Sequence, residues 1–226
     1  MTIFDQLKSS LVVSCQAPVS SPLNEPFIIS AMARACINQG AKGVRIDTPS
    51  HIMAVRQSLP DTPIIGLWKK TGLDSPIYIT PRCQEAEAVA MAGADIVAID
   101  ATDRLRTWGE TLRDIITFIH NKLGKLVMAD IDTIENAISA QQLGADFIGT
   151  TLYGYTEKTR GLIPPNFEFI AELVKTVDKP VICEGGIKTP TEAKKALQLG
   201  CFCVVVGTAI TGVDLLTQQF VKAINS

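Results

Sequence analysis

This chain has only two histidines, His51 and His120, in 226 residues. Both fall in stretches of helical periodicity, so a histidine-built metal centre is not expected. Its six cysteines form no C-x-x-C pair. That argues against a zinc ribbon or a redox dithiol motif and for reduced, buried thiols of a cytosolic protein. Positive charge is not in excess: 21 Lys and Arg stand against 23 Asp and Glu, net −2. No basic field for nucleic acid or for an anionic membrane follows from that balance. No apolar run approaches the roughly 18 residues that a spanning helix needs. A dinucleotide fingerprint and a P-loop are both missing. The first ten residues lack the apolar core of a signal peptide and read as a short amphipathic helix.

What is present is a repeat. Gln39-Gly40-Ala41, Ala92-Gly93-Ala94, Leu143-Gly144-Ala145 and Leu199-Gly200-Cys201 each end a helical pattern and lead into an apolar strand. Their glycines lie 53, 51 and 56 residues apart. That spacing accommodates two βα units, so the repeat marks every second strand. The intervening strands are Leu11 to Gln16, Pro63 to Lys69, Leu126 to Ile131 and Pro180 to Ile187. Helices are expected over 25–39, 49–58, 84–92, 109–123, 133–143, 166–177, 190–199 and 213–224. Eight alternating strands and helices using nearly the whole chain predict an α/β fold, a single (β/α)8 TIM barrel over residues 1–226. The N-terminal helix is expected to close its bottom.

In such a barrel the chemistry sits where strands end, and alternate residues point inward. The last inward positions read Ser14 and Gln16, Arg45 and Asp47, Lys69, Asp100, Asp130, Thr150 and Glu184, with Gly207 ending the eighth strand. Apolar residues lie beneath them. Charges converging over an apolar floor are costly unless they work or pair. Pairing of Arg45 with a carboxylate suits part of the set, Asp47 and Asp100 included. Lys69 and Glu184 end strands three and seven, on opposite sides of the mouth. Two proton-transfer groups facing one carbon from both sides suit inversion of a stereocentre. A strand-end lysine also fits Schiff-base chemistry, and a barrel that only binds its ligand remains a third reading.

Strand seven runs into Glu184-Gly185-Gly186, and strand eight into Gly207-Thr208. Glycines after these two strands let backbone amides approach an anion, which predicts a phosphate site at Gly185, Gly186, Gly207 and Thr208. Two long loops, Lys70 to Arg82 and Tyr153 to Pro165, are expected on the same face.

Several of these runs are similar to one family. Val13-Ser14-Cys15-Gln16-Ala17, Gly43-Val44-Arg45, Ile65-Gly66-Leu67-Trp68-Lys69, Met128-Ala129-Asp130-Ile131, Glu184-Gly185 and the long run Phe147 to Thr156 resemble bacterial N-acetylmannosamine-6-phosphate 2-epimerases, the NanE family. The resemblance implies a barrel of the ribulose-phosphate-binding type. It implies interconversion of N-acetyl-D-mannosamine 6-phosphate and N-acetyl-D-glucosamine 6-phosphate at C2, in sialic acid breakdown. Lys69 would be the acid/base and Glu184 its partner. Gln16, Arg45, Asp130 and Thr150 would hold the sugar, and no cofactor or metal is required. The implied partner is a phosphorylated N-acyl amino sugar, not nucleic acid or membrane, and a cytoplasmic homodimer is the expected form. Gly186 and Gly212 stand where this family often carries a basic residue. Arg160 or Lys158, in the strand-six loop, is the expected substitute.

Overall fold

A computed structural model describes residues 2–70 and 75–225. Eight strands, β1 Leu11–Ser14, β2 Gly43–Asp47, β3 Ile64–Leu67, β4 Ile96–Asp100, β5 Leu126–Asp130, β6 Phe147–Gly149, β7 Val181–Glu184 and β8 Cys203–Val206, pair in parallel and in chain order. Pairing of β1 with β8 closes the barrel. Among the described residues ten helices accompany them: α1 Ile3–Leu7, α2 Pro26–Asn38, α3 Pro49–Ser58, α4 Cys83–Met91, α5 Leu112–Asn121, α6 Ile134–Gln142, α7 Phe167–Thr176, α8 Pro190–Gln198, α9 Thr208–Thr211 and α10 Val213–Asn225. The repeated glycine holds one conformation throughout. Gly40, Gly93, Gly144 and Gly200 have φ of +101°, +111°, +103° and +100°, the left-handed cap that turns a helix end into the next strand.

Several helices begin on side-chain caps. Thr111 and Asp114 form a reciprocal box ahead of α5, as do Thr189 and Glu192 ahead of α8, while Asn166 caps α7. The expected start of the fourth long helix at residue 109 gives way to Leu112 because Thr111 takes the cap position. Strands one, three and seven are shorter than their apolar runs suggest. Their last residues leave the ladder at the mouth, so Gln16 and Lys69 sit on βα loops.

Strand alternation sorts the core into two layers. Val13, Val44, Ile46, Val97, Ile99, Ala129 and Ile148 face the helices. Val12, Ile65, Leu67, Ile96, Ala98, Met128, Phe147, Ile182 and Val205 fill the barrel itself. Helix α1 closes the bottom as expected: Phe4 stacks on Phe147 at 4.7 Å, and Leu7 is fully buried. Cys201 and Cys203 are both buried, but the bend before β8 sends them to different layers. All six cysteines are free thiols. Among the described residues, no helix is long and apolar enough to cross a membrane.

Candidate active site

Arg45 is the centre of the mouth. It points inward from β2 and is 1% exposed, above Met128 of the barrel floor. Its guanidinium donates to Asp130 of β5 in a fork, Nη1 to Oδ1 at 3.0 Å and Nη2 to Oδ2 at 2.6 Å. Nη1 also lies 2.7 Å from Oε2 of Glu184, at the end of β7. Burial opposes the guanidinium charge, but Asp130 and Glu184 outweigh it and hold Arg45 protonated. One cation thus serves two carboxylates. Burial, with the charge of Asp130 adding to it and Arg45 opposing, pushes Glu184 up to about 7. Glu184 is therefore poised to take or give a proton near neutrality. Nε of Arg45 is buried without a hydrogen-bond partner among the described residues.

Lys69 follows β3, and its side chain is 40% exposed. Its ammonium donates to Oε1 of Gln16 at 2.5 Å and lies 3.9 Å from Oδ2 of Asp47. Asp47 also accepts from the Lys69 backbone N–H at 2.9 Å, and Gln16 donates to the Ser14 hydroxyl at 2.9 Å. Gln16, Asp47 and Lys69 so form a second cluster on the rim, above the buried Arg45 group. The loop after Lys69 turns back into the barrel. Lys69 bridges Ile79 in antiparallel fashion, and Ile79 joins the interior core. Residues 71–74 of this expected long loop lie outside the described residues.

The structure moves one assignment. Thr150 does not face the mouth: its hydroxyl donates to the Glu184 carbonyl at 2.8 Å and accepts from the Glu184 N–H at 3.0 Å. Phe147 points into the barrel, so strand parity sends Ile148 and Thr150 outward and Gly149 and Thr151 inward. Thr151 is the residue that enters the site. Its hydroxyl lies 2.6 Å from Oδ1 of Asp130 and 3.1 Å from Oε2 of Glu184. The pairing of Met128 with Phe147 fixes this phase, and that pairing is invisible in a three-residue strand read alone. Tyr78 was also missed. Burial and the charges of Asp100 and Asp130 push its phenol up to about 12, which keeps it a donor.

Asp100 is structural. It is fully buried, pairs with Arg104 and accepts from the Thr102 hydroxyl at 2.7 Å. His51 lies in the first turn of α3, and His120 on α5 contacts Asp146 at 2.8 Å, so neither joins the Arg45 or the Lys69 cluster.

Gly185 and Gly186 have φ of +105° and +69°. A Cβ on Gly186 would sit 2.0 Å from the Pro164 carbonyl oxygen, so the strand-six loop leaves no room for a side chain there. Gly207 precedes Thr208, the first residue of the one-turn helix α9. Lys158 reaches Asp103 on the neighbouring loop, and Arg160 is exposed.

Residues 29–226 match the family model described as putative N-acetylmannosamine-6-phosphate epimerase, NanE. The chain belongs to this family. A protein of Synechococcus elongatus named putative N-acetylmannosamine-6-phosphate 2-epimerase is 55% identical over 98% of this chain and 96% of its own length. A protein of that name from Listeria monocytogenes is 42% identical over 99% and 97%. A solved structure described as the N-acetylmannosamine-6-phosphate 2-epimerase from Clostridium perfringens superposes with a TM-score of 0.94. It is 42% identical, with 99% of this chain and 96% of that one covered. The barrel of Pyrococcus furiosus thiamine phosphate pyrophosphorylase, at TM-score 0.63 and 18% identity, shares the fold alone. Within the NanE family fold, Arg45, Lys69, Asp130, Thr151 and Glu184 converge on one mouth.

Proposed function

We propose that this protein interconverts N-acetyl-D-mannosamine 6-phosphate and N-acetyl-D-glucosamine 6-phosphate by moving the proton at C2. The observation that carries the reading is the placement of Lys69 and Glu184. They follow β3 and β7, four strands apart in a closed ring of eight, with Arg45 and Asp130 between them. In the open-chain sugar the C1 carbonyl acidifies C2–H. One of the pair takes that proton, and the other returns one to the opposite face. The charge on the enolate oxygen between those steps develops above the buried Arg45 guanidinium, whose positive field favours it. Gln16 and Asp130 position the sugar, while Thr151, inward in the place expected for Thr150, holds the two carboxylates. Backbone N–H groups of Gly185, Gly186, Gly207 and Thr208 receive the phosphate, with the sterically closed Gly186 offering backbone alone.

The direct test is proton NMR of N-acetylmannosamine 6-phosphate with the protein in heavy water. The expected result is the gluco epimer carrying deuterium at C2. Saturable binding without conversion or exchange would replace the enzyme by a binding protein. Borohydride treatment with substrate should leave the chain unmodified; a trapped adduct on Lys69 would favour Schiff-base chemistry.

A pH profile follows from the pair. Glu184 takes the C2 proton only when ionised, and the equilibrium constant ties the two directions together. Below the Glu184 pKa of about 7, that base is lost. Activity, measured as kcat/KM, is therefore lost as pH falls through about 7, in both directions alike. A profile flat from pH 5.5 to 8 would remove Glu184 from proton transfer.

The working form is a cytoplasmic homodimer. None of the residues of α10 is buried, and Phe220 and Ile224 are 71% and 80% exposed. Leu216, Phe220 and Ile224 recur every four residues, the stripe of a helix made to pack. A second copy of this chain is the occupant this stripe fits. Sedimentation should give a dimer, and Phe220→Asp with Ile224→Asp a monomer. A monomeric wild type at micromolar concentration would end this assignment.

A further inference from the structure

We propose that Thr151 decides which of the two facing carboxylates, Asp130 or Glu184, carries the exchangeable proton, and so makes Glu184 the proton-transfer group. This rests on the epimerase reading for its catalytic consequence, though not for its electrostatics. A hydroxyl has one proton to donate. The Thr151 oxygen lies 2.6 Å from Asp130 and 3.1 Å from Glu184, and the shorter contact places the proton on the Asp130 side. Asp130 then receives three donations, two from Arg45 and one from Thr151. Glu184 has the ion pair with Nη1 of Arg45 at 2.7 Å and only the longer of the two Thr151 contacts, at 3.1 Å.

The consequence is a competition with a fixed winner. Two carboxylates, Asp130 fully buried and Glu184 partly so, stand beside one guanidinium and leave a surplus negative charge. The proton goes to the carboxylate whose ionised form is less well solvated by donors, which is Glu184. Once protonated, Glu184 donates to the lone pairs that Thr151 turns toward it. Thr151 itself never touches the reacting carbon in this scheme; it is a positioning residue. The charged and titratable groups facing Glu184 are Arg45 from β2, Lys69 after β3, Asp130 from β5 and the Cys203 thiol of β8, with the neighbouring Cys183 on its own strand. Of these, Arg45 contacts both carboxylates, and it stays cationic.

The test compares wild type, Thr151→Ser and Thr151→Val. Valine has nearly the same shape and no hydroxyl, and serine restores the hydroxyl on a smaller side chain. Two readouts are taken: the side-chain carboxyl carbon signal of Glu184 as a function of pH, assigned with Glu184→Gln, and kcat and KM across the same range. In Thr151→Val the midpoint of Glu184 should move down by about one unit, since the protonated Glu184 loses the oxygen that accepts from it. Its kcat should fall about tenfold, the worth of one hydrogen bond to a charged group, with KM within a factor of two. The acid limb of the rate profile should move with the midpoint. Thr151→Ser should keep the wild-type midpoint. A folded Thr151→Val with an unmoved midpoint overturns the proposal, as does a serine variant that behaves like valine. If wild type fails to epimerise the sugar phosphate, the functional reading falls, while the carboxyl titration still decides the role of Thr151.

Discussion

Replacing Lys69 by alanine is expected to leave a folded protein that binds N-acetylmannosamine 6-phosphate and turns it over at least about 10³-fold more slowly. The side chain is 40% exposed at the rim and belongs to no core cluster. Its removal opens no cavity. What it leaves is one rim carboxylate, Asp47, that still accepts from the backbone N–H of residue 69. Stability should therefore change by less than about 1 kcal/mol, as for other exposed ion pairs. The catalytic loss should be much larger, because an epimerase working from two sides of a carbon has no second route to the face it loses. The measurement is the C2 proton signal in heavy water beside a thermal melt. Loss of turnover with an unchanged melt is the expected pair of results. Turnover within tenfold of wild type would show that Gln16 and Asp47 hold Lys69 for some purpose other than proton transfer.

Arg45→Met is expected to do the opposite, damaging the fold first. The thioether fills most of the space of the arginine stem but leaves Asp130 and Glu184 facing each other without a cation. Breaking a buried ion pair by removing one partner costs about 3–5 kcal/mol. For a chain of this length that is a fall in Tm of roughly 6–20 °C. The sign of its pH dependence is determined by Glu184. Arg45 lowers the Glu184 pKa, so its removal raises that pKa above the wild-type value of about 7. A carboxyl whose folded pKa lies above its unfolded one binds more protons in the folded state, so its stability contribution falls as pH rises between the two. The deficit of Arg45→Met should therefore be smallest, and level, below about pH 6, where Glu184 is protonated in folded wild type and variant alike. It should grow as pH rises through 7. Melts at pH 5 and pH 8 check this, and an equal deficit at both would mean that Arg45 acts by packing alone. The double variant Arg45→Met with Glu184→Gln should recover part of the loss at pH 8.

Those two variants separate the rim from the floor, a distinction absent from the linear chain. Lys69 and Arg45 look alike as strand-end cations in sequence. One sits on a loop past the last ladder bond of β3, and the other lies inside β2 between two β-strand neighbours. Burial follows from that difference of two residues, and the expected phenotypes follow from burial. Asp100 and Asp130 give the same lesson. Both are fully buried at strand ends. Asp100 is occupied by Arg104 from its own βα loop, whereas Asp130 is met by Arg45 from across the barrel and by Thr151.

The amino-acid sequence by itself determined the barrel. A glycine that can adopt positive φ, placed every 51 to 56 residues after an apolar helix face, admits few other chain paths, and local backbone energetics carry that information. The identity of most mouth residues followed from strand parity, because alternation within one strand is also local. The tertiary structure alone decided what depends on neighbours. It phased β6 through its pairing with β5, so that Thr151 and not Thr150 enters the mouth. It closed Gly186 under the Pro164 carbonyl, and it set two carboxylates against one guanidinium. Each of these arises between segments far apart in the chain, where the strength of a charge or a hydroxyl is determined by which groups surround it.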